Sequence, residues 1–234
     1  MMNKDSYLEV SRIKEEFVAN ASHELKTPIA SVRLAAESAL RSLKLNDGMV
    51  ESFLEQILRD SDRMNDLVTD LLDLSSLESS EVDVEMIDLN DVVLQEISYL
   101  SKINKKRVGY KKTKNSFVIA NFDDISIAFK NLLRNALKYS PVEEIVFVKI
   151  TTIEDEIICS VQDFGSGIAK TDQEKIFERF FRVDKGRSRK LGGNGLGLAI
   201  VKHAIERNNA EVSVESTLGF GSTFSLKFKK VNAK

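Results

Sequence analysis

Residues 50–74 read VESFLEQILRDSDRMNDLVTDLLDL, and their apolar positions decide what the first third of the chain is. Val50, Phe53, Ile57, Asp60, Met64, Leu67, Leu71 and Leu74 alternate steps of three and four, a heptad seam with one polar break at Asp60. Leu54, Leu58, Val68 and Leu72 widen the stripe beyond what one neighbouring helix covers. Upstream, Leu25, Ile29, Val32, Ala36, Ala39 and Leu43 form a similar seam, and Asn46-Asp47-Gly48 separates the two as a turn. The spacing predicts a helical hairpin within residues 6–77. The width of the stripe predicts that two hairpins pair into a four-helix bundle, a homodimer, in preference to a hairpin folded onto its own C-terminal half.

Inside the first helix lies Phe17-Val18-Ala19-Asn20-Ala21-Ser22-His23-Glu24-Leu25-Lys26-Thr27-Pro28. It holds one of the chain's two histidines, with an acid beside it and Thr27 one turn later on the same face. A neutral imidazole offers a lone pair to an electrophile, and an adjacent carboxylate can orient the ring and take its proton. Pro28 is expected to bend the helix just after the histidine. The second histidine, His203, falls within a late apolar helix and is assigned no role.

Composition excludes several classes. With 234 residues and 42% hydrophobic content, the chain can bury a core as one large domain or two small ones. Lysine plus arginine total 34 against 36 acids, a formal charge of −2, which argues against a nucleic-acid partner. The lone cysteine, Cys159, lies in a strand-like run and reads as a small buried hydrophobe. No apolar run approaches the roughly 18 residues of a membrane span, and residues 1–16 are charged throughout, unlike a signal peptide. The expectation is a soluble cytoplasmic chain without membrane contact of its own, whether or not it is cut from an anchored protein.

Ser75 to Glu81 is serine-rich and reads as a hinge, dividing the chain into residues 1–80 and 81–234. Beyond it the pattern mixes strands (107–112, 116–121, 144–152, 156–162, 210–216, 222–229) with helices (89–104, 123–139, 172–180, 196–208). This is an α+β layer, helices on one face of a mixed sheet. All but one of the glycines lie beyond residue 100.

Three clusters there suit a nucleotide. Asn131, Asn135 and Lys138 share one helical face, the asparagine oxygens suited to a hydrated Mg²⁺ and the lysine to phosphate. Asp163-Phe164-Gly165-Ser166-Gly167 ends a strand, where the aspartate can accept from an adenine amino group. Gly192-Gly193-Asn194-Gly195-Leu196-Gly197 opens an apolar helix whose free amides can meet phosphates; it is neither a Walker loop nor a convincing Rossmann turn. Between the last two, Phe177, Phe180 and Phe181 precede Arg182, Lys185, Arg187, Arg189 and Lys190, read as a mobile lid. Gly219 to Thr223 reads as the turn between the last strands.

Together these residues resemble the catalytic core of sensor histidine kinases of two-component systems. Ser22 to Pro28 is similar to that family's phosphoacceptor box and Asn131 to Ser140 to its N box. Asp163–Gly167, Gly193–Gly197 and Gly219–Thr223 are similar to its glycine boxes, and Ile176–Arg182 to its F box. The resemblance covers nearly the whole chain and implies a dimerisation and histidine-phosphotransfer hairpin followed by an α/β-sandwich ATP-binding domain of the type shared with gyrase and Hsp90. It implies His23 as phosphoacceptor, Glu24 and Thr27 as its helpers, and ATP with Mg²⁺ as the donor. Asn131, Asn135 (also on the metal), Lys138, Tyr139, Asp163, Gly165, Gly167, Arg182, Gly193, Gly195, Leu196, Gly197 and Thr223 would bind the nucleotide. It implies a response regulator docking near His23, and a regulator phosphatase activity through Thr27. The related ATPases usually carry glutamate where Asn131 stands, so an ATPase is the weaker reading, as is a non-catalytic signalling scaffold. Transfer within or between subunits depends on the turn near Asn46–Gly48, which the sequence leaves open.

Overall fold

The computed structural model describes residues 4–45, 48–79, 81–183 and 193–231. The turn residues Asn46 and Asp47, Ser80 of the hinge, Gly192, and the lid cations Lys185, Arg187, Arg189 and Lys190 lie outside the described residues. The chain divides into two compact units, Met1–Leu72 with Gly192–Asn194, and Asp73–Leu191 with Gly195–Lys234.

The first unit is built on two long helices, α1 (Lys4–Leu45) and α2 (Val50–Ser79, whose last turns belong to the second unit). The α2 seam is as the heptads predict: Leu67 and Leu74 are buried, and Phe53, Ile57, Asp60, Met64 and Leu71 half-buried. The α1 seam differs. Ala21, Ala35, Ala39 and Ser42 are buried, whereas Ile29 and Leu43 remain 55% and 63% exposed. Small residues let the two helices approach closely, and the larger ones fall to the flank. Leu54, Leu58 and Leu72 of α2 are likewise more than half exposed, at 51%, 65% and 64%. Gln56 Nε2 donates to Ser31 Oγ (3.0 Å) and Arg63 Nη2 to Glu24 Oε2 (3.2 Å), fixing the antiparallel register.

The second unit contains β1 (Glu85–Asp88), α3 (Leu89–Tyr99), α4 (Lys102–Lys105), β2 (Val108–Tyr110), β3 (Phe117–Ala120), α5 (Phe122–Tyr139), β4 (Val146–Ile153), β5 (Glu156–Asp163), α6 (Gly197–Arg207), β6 (Glu211–Thr217) and β7 (Gly221–Lys229). Five strands form a sheet ordered β2-β4-β5-β7-β6, antiparallel except for the β2–β4 pair. Strand alternation buries one face: Val146, Val148 and Ile150 on β4, Ile157, Cys159 and Val161 on β5, Phe224, Leu226 and Phe228 on β7. α5 packs against β5, α6 against β6, and α3 against α5. Phe129, Leu132, Ile200 and Ile205 close the core from the helix side, each worth about 1.5–3 kcal/mol by burial. Burial pushes the Cys159 thiol up to about 12, so it is a core residue.

Three expectations are corrected here. The helix expected over 89–104 breaks at Leu100, because the Ser101 side chain accepts from Asn104 N (3.3 Å) and starts a new turn. The helix expected over 172–180 is only a 3-10 turn, Lys175–Phe177. Phe180 sits at φ 62° with its N–H bonded to Gly195 O (2.8 Å), a tertiary bond that ends helical geometry. Strand β1, unexpected from its sequence, pairs antiparallel with β3 and buries a single apolar residue, Ile87. Among the described residues no helix is long and apolar enough to cross a membrane.

Candidate active site

On α1, His23 is exposed, and Thr27 Oγ1 donates to the His23 carbonyl (3.2 Å). Pro28 lacks the N–H that the Glu24 carbonyl would receive, yet the helix continues through it. Glu24 turns the other way from His23, into the α1–α2 interface, where Arg63 binds its carboxylate. Asp60, the polar break in the seam, has its Oδ2 buried without a hydrogen-bond partner among the described residues.

In the sheet unit the expected nucleotide residues converge around the C-terminal half of α5. Asn131 is fully buried: its Nδ2 donates to Ile127 O (2.9 Å) and its Oδ1 accepts from Arg134 Nη2 (3.1 Å). A Cβ on Gly197 would lie 3.0 Å from that same Oδ1, so glycine at this position lets the start of α6 abut α5. Asn135, one turn on, is half-buried and its amide makes no hydrogen bond among the described residues. Leu196 is buried, so it presents backbone rather than side chain to any ligand.

The end of α5 is held by Arg107, which donates to the carbonyls of Leu137 (3.1 Å), Ser140 (3.2 Å) and Pro141 (2.7 Å). Ser140 Oγ in turn accepts from Phe164 N (3.1 Å), and a Cβ on Gly165 would meet Tyr139 O at 2.8 Å. Lys138 lies 5.8 Å from the Tyr139 ring centre. Burial raises the Tyr139 phenol above its ordinary value, while Arg182 and Arg134 nearby pull it down; the two cations thus share its surroundings.

Asp163 ends β5, buried, with Oδ1 accepting from Gly165 N (2.9 Å) and Ser222 N (3.2 Å). Desolvation raises its pKa, and those N–H donors oppose the shift. The loop is braced by the β6–β7 turn. Gly219 N donates to Ser166 O (2.7 Å), Ile168 N to Ser216 Oγ (2.8 Å), and a Cβ on Gly167 (φ 66°) would come within 2.1 Å of Thr217 O. The glycines here thus admit neighbouring backbone as well as freeing the turn.

Two assignments shift. Thr223 pairs with Gln162, whereas Ser222 pairs with Asp163. Since adjacent strand residues face opposite sides, Thr223 lies on the face away from the aspartate and Ser222 on its own face. Gly193 clusters with the first unit, where the neighbouring Asn194 Nδ2 bonds Asp70 Oδ2 (2.7 Å), and is not among the residues gathered in the sheet unit. The F-box segment does dock: Phe177 meets Phe224 edge-on at 6.5 Å.

Arg63, Arg107, Arg134 and Ser222 were not singled out by sequence. Alternation along β7 puts Ser222 on the buried face of Phe224, Leu226 and Phe228, but its pairing with Asp163, like the arginines' contacts, is created only by the fold. A groove of about 430 Å³ beside α5 is lined by Glu96, Tyr99, Leu100, Leu133, Arg134 and Lys138 among others. It excludes Asp163 and the glycine loops.

Residues 13–80 match the family described as His Kinase A (phospho-acceptor) domain. Residues 120–232 match the Histidine kinase-, DNA gyrase B-, and HSP90-like ATPase family. The chain is 37% identical over 235 residues to the sensor-like histidine kinase SenX3 of Mycolicibacterium smegmatis, covering 96% of this chain and 59% of that protein. It is 34% identical to the sensor histidine kinase WalK of Bacillus subtilis, covering 93% and 37%. The chain therefore spans between about a third and three-fifths of these relatives' lengths. Its fold matches Acinetobacter baumannii histidine kinase AdeS (TM-score 0.64, 23% identity, 90% of this chain and 98% of that one). It also matches histidine kinase ThkA solved in complex with response regulator protein TrrA (TM-score 0.71, 22% identity, 95% and 64%).

Proposed function

Because the chain belongs to the sensor histidine kinases of two-component systems, we propose that it transfers the γ-phosphoryl of ATP to His23 and passes it on to an aspartate of a response regulator. Residues 1–80 would form the dimerisation and phosphotransfer part and 81–234 the ATP-binding part. The observation that carries this reading is the pairing of an exposed His23 on α1 with a buried Asp163 and the Asn131–Gly197 junction in one chain.

In the transfer, a ring nitrogen of His23 attacks the γ-phosphorus in line. The N–P bond forms, the bond from phosphorus to the β–γ bridging oxygen breaks, ADP leaves, and the proton of the imidazole goes to Glu24, whose carboxylate must first leave Arg63 and turn to the ring. Asp163 accepts from the adenine amino group; Lys138, Arg182 and the amides opening α6 meet phosphate charge. Asn135 fits Mg²⁺, since its amide oxygen is a hard neutral donor with no competing bond, and among the described residues no three His, Cys, Asp or Glu side chains gather as a cage. The ion would neutralise phosphate charge. Asn131 offers no base to activate water, and its oxygen is already held by Arg134, which favours transfer to His23 over hydrolysis.

The exposed large residues of α1 and α2 support a homodimer through a four-helix bundle; the regulator would dock near His23, and the chain would work on the cytoplasmic side. Thr27 would position the water that dephosphorylates the regulator; its bond to the His23 carbonyl keeps the hydroxyl one turn from the phosphorylated ring. The test is incubation with γ-labelled Mg-ATP beside His23→Gln. Acid-labile, base-stable label in the wild type alone supports the reading; equal label in both refutes it.

A further inference from the structure

Strand β2 is an edge of the five-stranded sheet and only three residues long, yet it reaches the loop that carries Asp163 by two routes. Arg107, the residue before it, spreads its guanidinium over three carbonyls where α5 ends: Leu137 (3.1 Å), Ser140 (3.2 Å) and Pro141 (2.7 Å). A cation there suits the negative end of the α5 dipole, and a planar guanidinium can serve several carbonyls at once. Ser140, so fixed, accepts at its hydroxyl oxygen from Phe164 N (3.1 Å). The Tyr139 carbonyl lies against Gly165, where an added Cβ would come within 2.8 Å of it, and Gly165 N donates to Asp163 Oδ1 (2.9 Å). The second route starts at Gly109. A Cβ there would meet Cδ1 of Phe147 at 2.9 Å, so glycine admits that ring, which meets Phe164 edge-on at 6.0 Å. Beyond Ser140 the chain gives little other support, since residues 141–145 are all exposed.

We infer that Arg107 is a positioning residue for nucleobase recognition: by clamping the end of α5 it holds Ser140 against Phe164 N and keeps the Asp163 carboxylate where the adenine amino group meets it. This rests on the reading of Asp163 as the adenine acceptor given above. Without the guanidinium the three carbonyls turn to water, Ser140 moves with them, and the backbone of residues 163–165 loses a fixed partner. A hydrogen bond weakens steeply once its distance and angle depart from the optimum, so the loss falls on the contact with the amino group. The amides opening α6 belong to another element, and their hold on phosphate is spared. Lysine at position 107 keeps the charge but loses the planar fork, so it replaces the arginine only in part.

The experiment measures, by calorimetry on the full chain, the affinities for Mg-ATP and for the Mg²⁺ complex of purine riboside triphosphate, which differs from ATP only in lacking the amino group. Their ratio reads the amino contact alone. The variants are Arg107→Met, Arg107→Lys, Ser140→Ala, Asp163→Asn and Arg107→Met combined with Asp163→Asn. Melting temperature reports that each is folded; should Arg107→Met not fold, Ser140→Ala carries the test, since it keeps the clamp and removes only the link to Phe164. Expected for Arg107→Met is a fall in the ratio on the order of fivefold, about the worth of one hydrogen bond. Affinity for the purine nucleotide stays within about twofold. Ser140→Ala behaves alike, Arg107→Lys is intermediate, and adding Arg107→Met to Asp163→Asn lowers the ratio no further. An unchanged ratio in Arg107→Met and Ser140→Ala overturns the inference. So does equal weakening of both nucleotides, which marks a merely structural role, or a further fall of the ratio in the double variant. Failure of the underlying reading shows differently, as a ratio that Asp163→Asn itself leaves at the wild-type value, and it takes the inference with it.

Discussion

The helical hairpin and the sheet domain use apolar residues in opposite ways. In the sheet domain, strand alternation sends Val146, Val161, Leu226 and their neighbours to a face that α5 and α6 cover, and the core is complete within one chain. In the hairpin, alanines and serine fill much of the α1 side of the interface, while Leu34, Leu40, Leu54, Leu58 and Leu72 stay more than half exposed. The first region therefore specifies itself, and the second specifies a partner surface. That division matches the chemistry proposed for each: a rigid seat for nucleotide, and an acceptor helix in an assembly that a partner completes.

The largest expected effect separates the two regions directly. Leu58→Glu combined with Leu72→Glu places two charges in the surface proposed to pair. Self-association, measured by sedimentation, should weaken by on the order of 1,000-fold, at roughly 1 kcal/mol for each of the four charges a dimer would carry. Nucleotide affinity should remain within twofold; loss of both together would mean that the regions are not independent. In the sheet domain the reverse holds. Ile200→Ala, at a fully buried site on α6, should cost about 2–5 kcal/mol of that domain's stability by denaturant titration and leave self-association alone.

Asp163→Asn should weaken ATP binding about 10- to 100-fold by calorimetry, the value of a hydrogen bond to a charged acceptor. Its pH behaviour adds a sign. Burial raises the folded-state pKa of Asp163, so its contribution to stability is full below the ordinary aspartate range and declines as pH rises through the raised value. Nucleotide binding through the carboxylate runs the other way and weakens as pH falls through the same window; Asp163→Asn should flatten both slopes. The smallest effect expected is at Thr27→Ala. Autophosphorylation should be nearly unchanged while dephosphorylation of the regulator slows several-fold. Equal loss of both would reduce Thr27 to the backbone bond it makes with His23.

What was legible in the sequence follows from which interactions are local. The α2 heptads, the alternation in β4, β5 and β7, and the order of the glycine-rich motifs all repeat at fixed spacing, so they could be read directly. Phe180 and Leu100 were misread because their backbones answer to a distant carbonyl and to a capping serine, which period counting does not register. Thr223 comes from the resemblance, whereas the two-residue period of β7 decides which of Ser222 and Thr223 faces Asp163. Of the α1 seam, Ile29 and Leu43 stay exposed in a single chain, because a helix with apolar residues on two faces does not announce which face meets its own hairpin partner and which a second copy. Arg63, Arg107 and Arg134 were invisible for a plainer reason: each earns its place through a contact in another element or with an amide turned toward it.

The most direct test asks whether the two regions hold separable halves of one reaction. Wild type, His23→Gln and Asp163→Asn are each incubated with γ-labelled and, separately, α-labelled Mg-ATP, with nucleotide affinity and self-association measured on the same samples. The account predicts label in wild type from the γ-phosphate alone, none in His23→Gln despite normal ATP affinity, and little in Asp163→Asn despite normal self-association. Label on His23→Gln, or loss of ATP binding with that substitution, would contradict it.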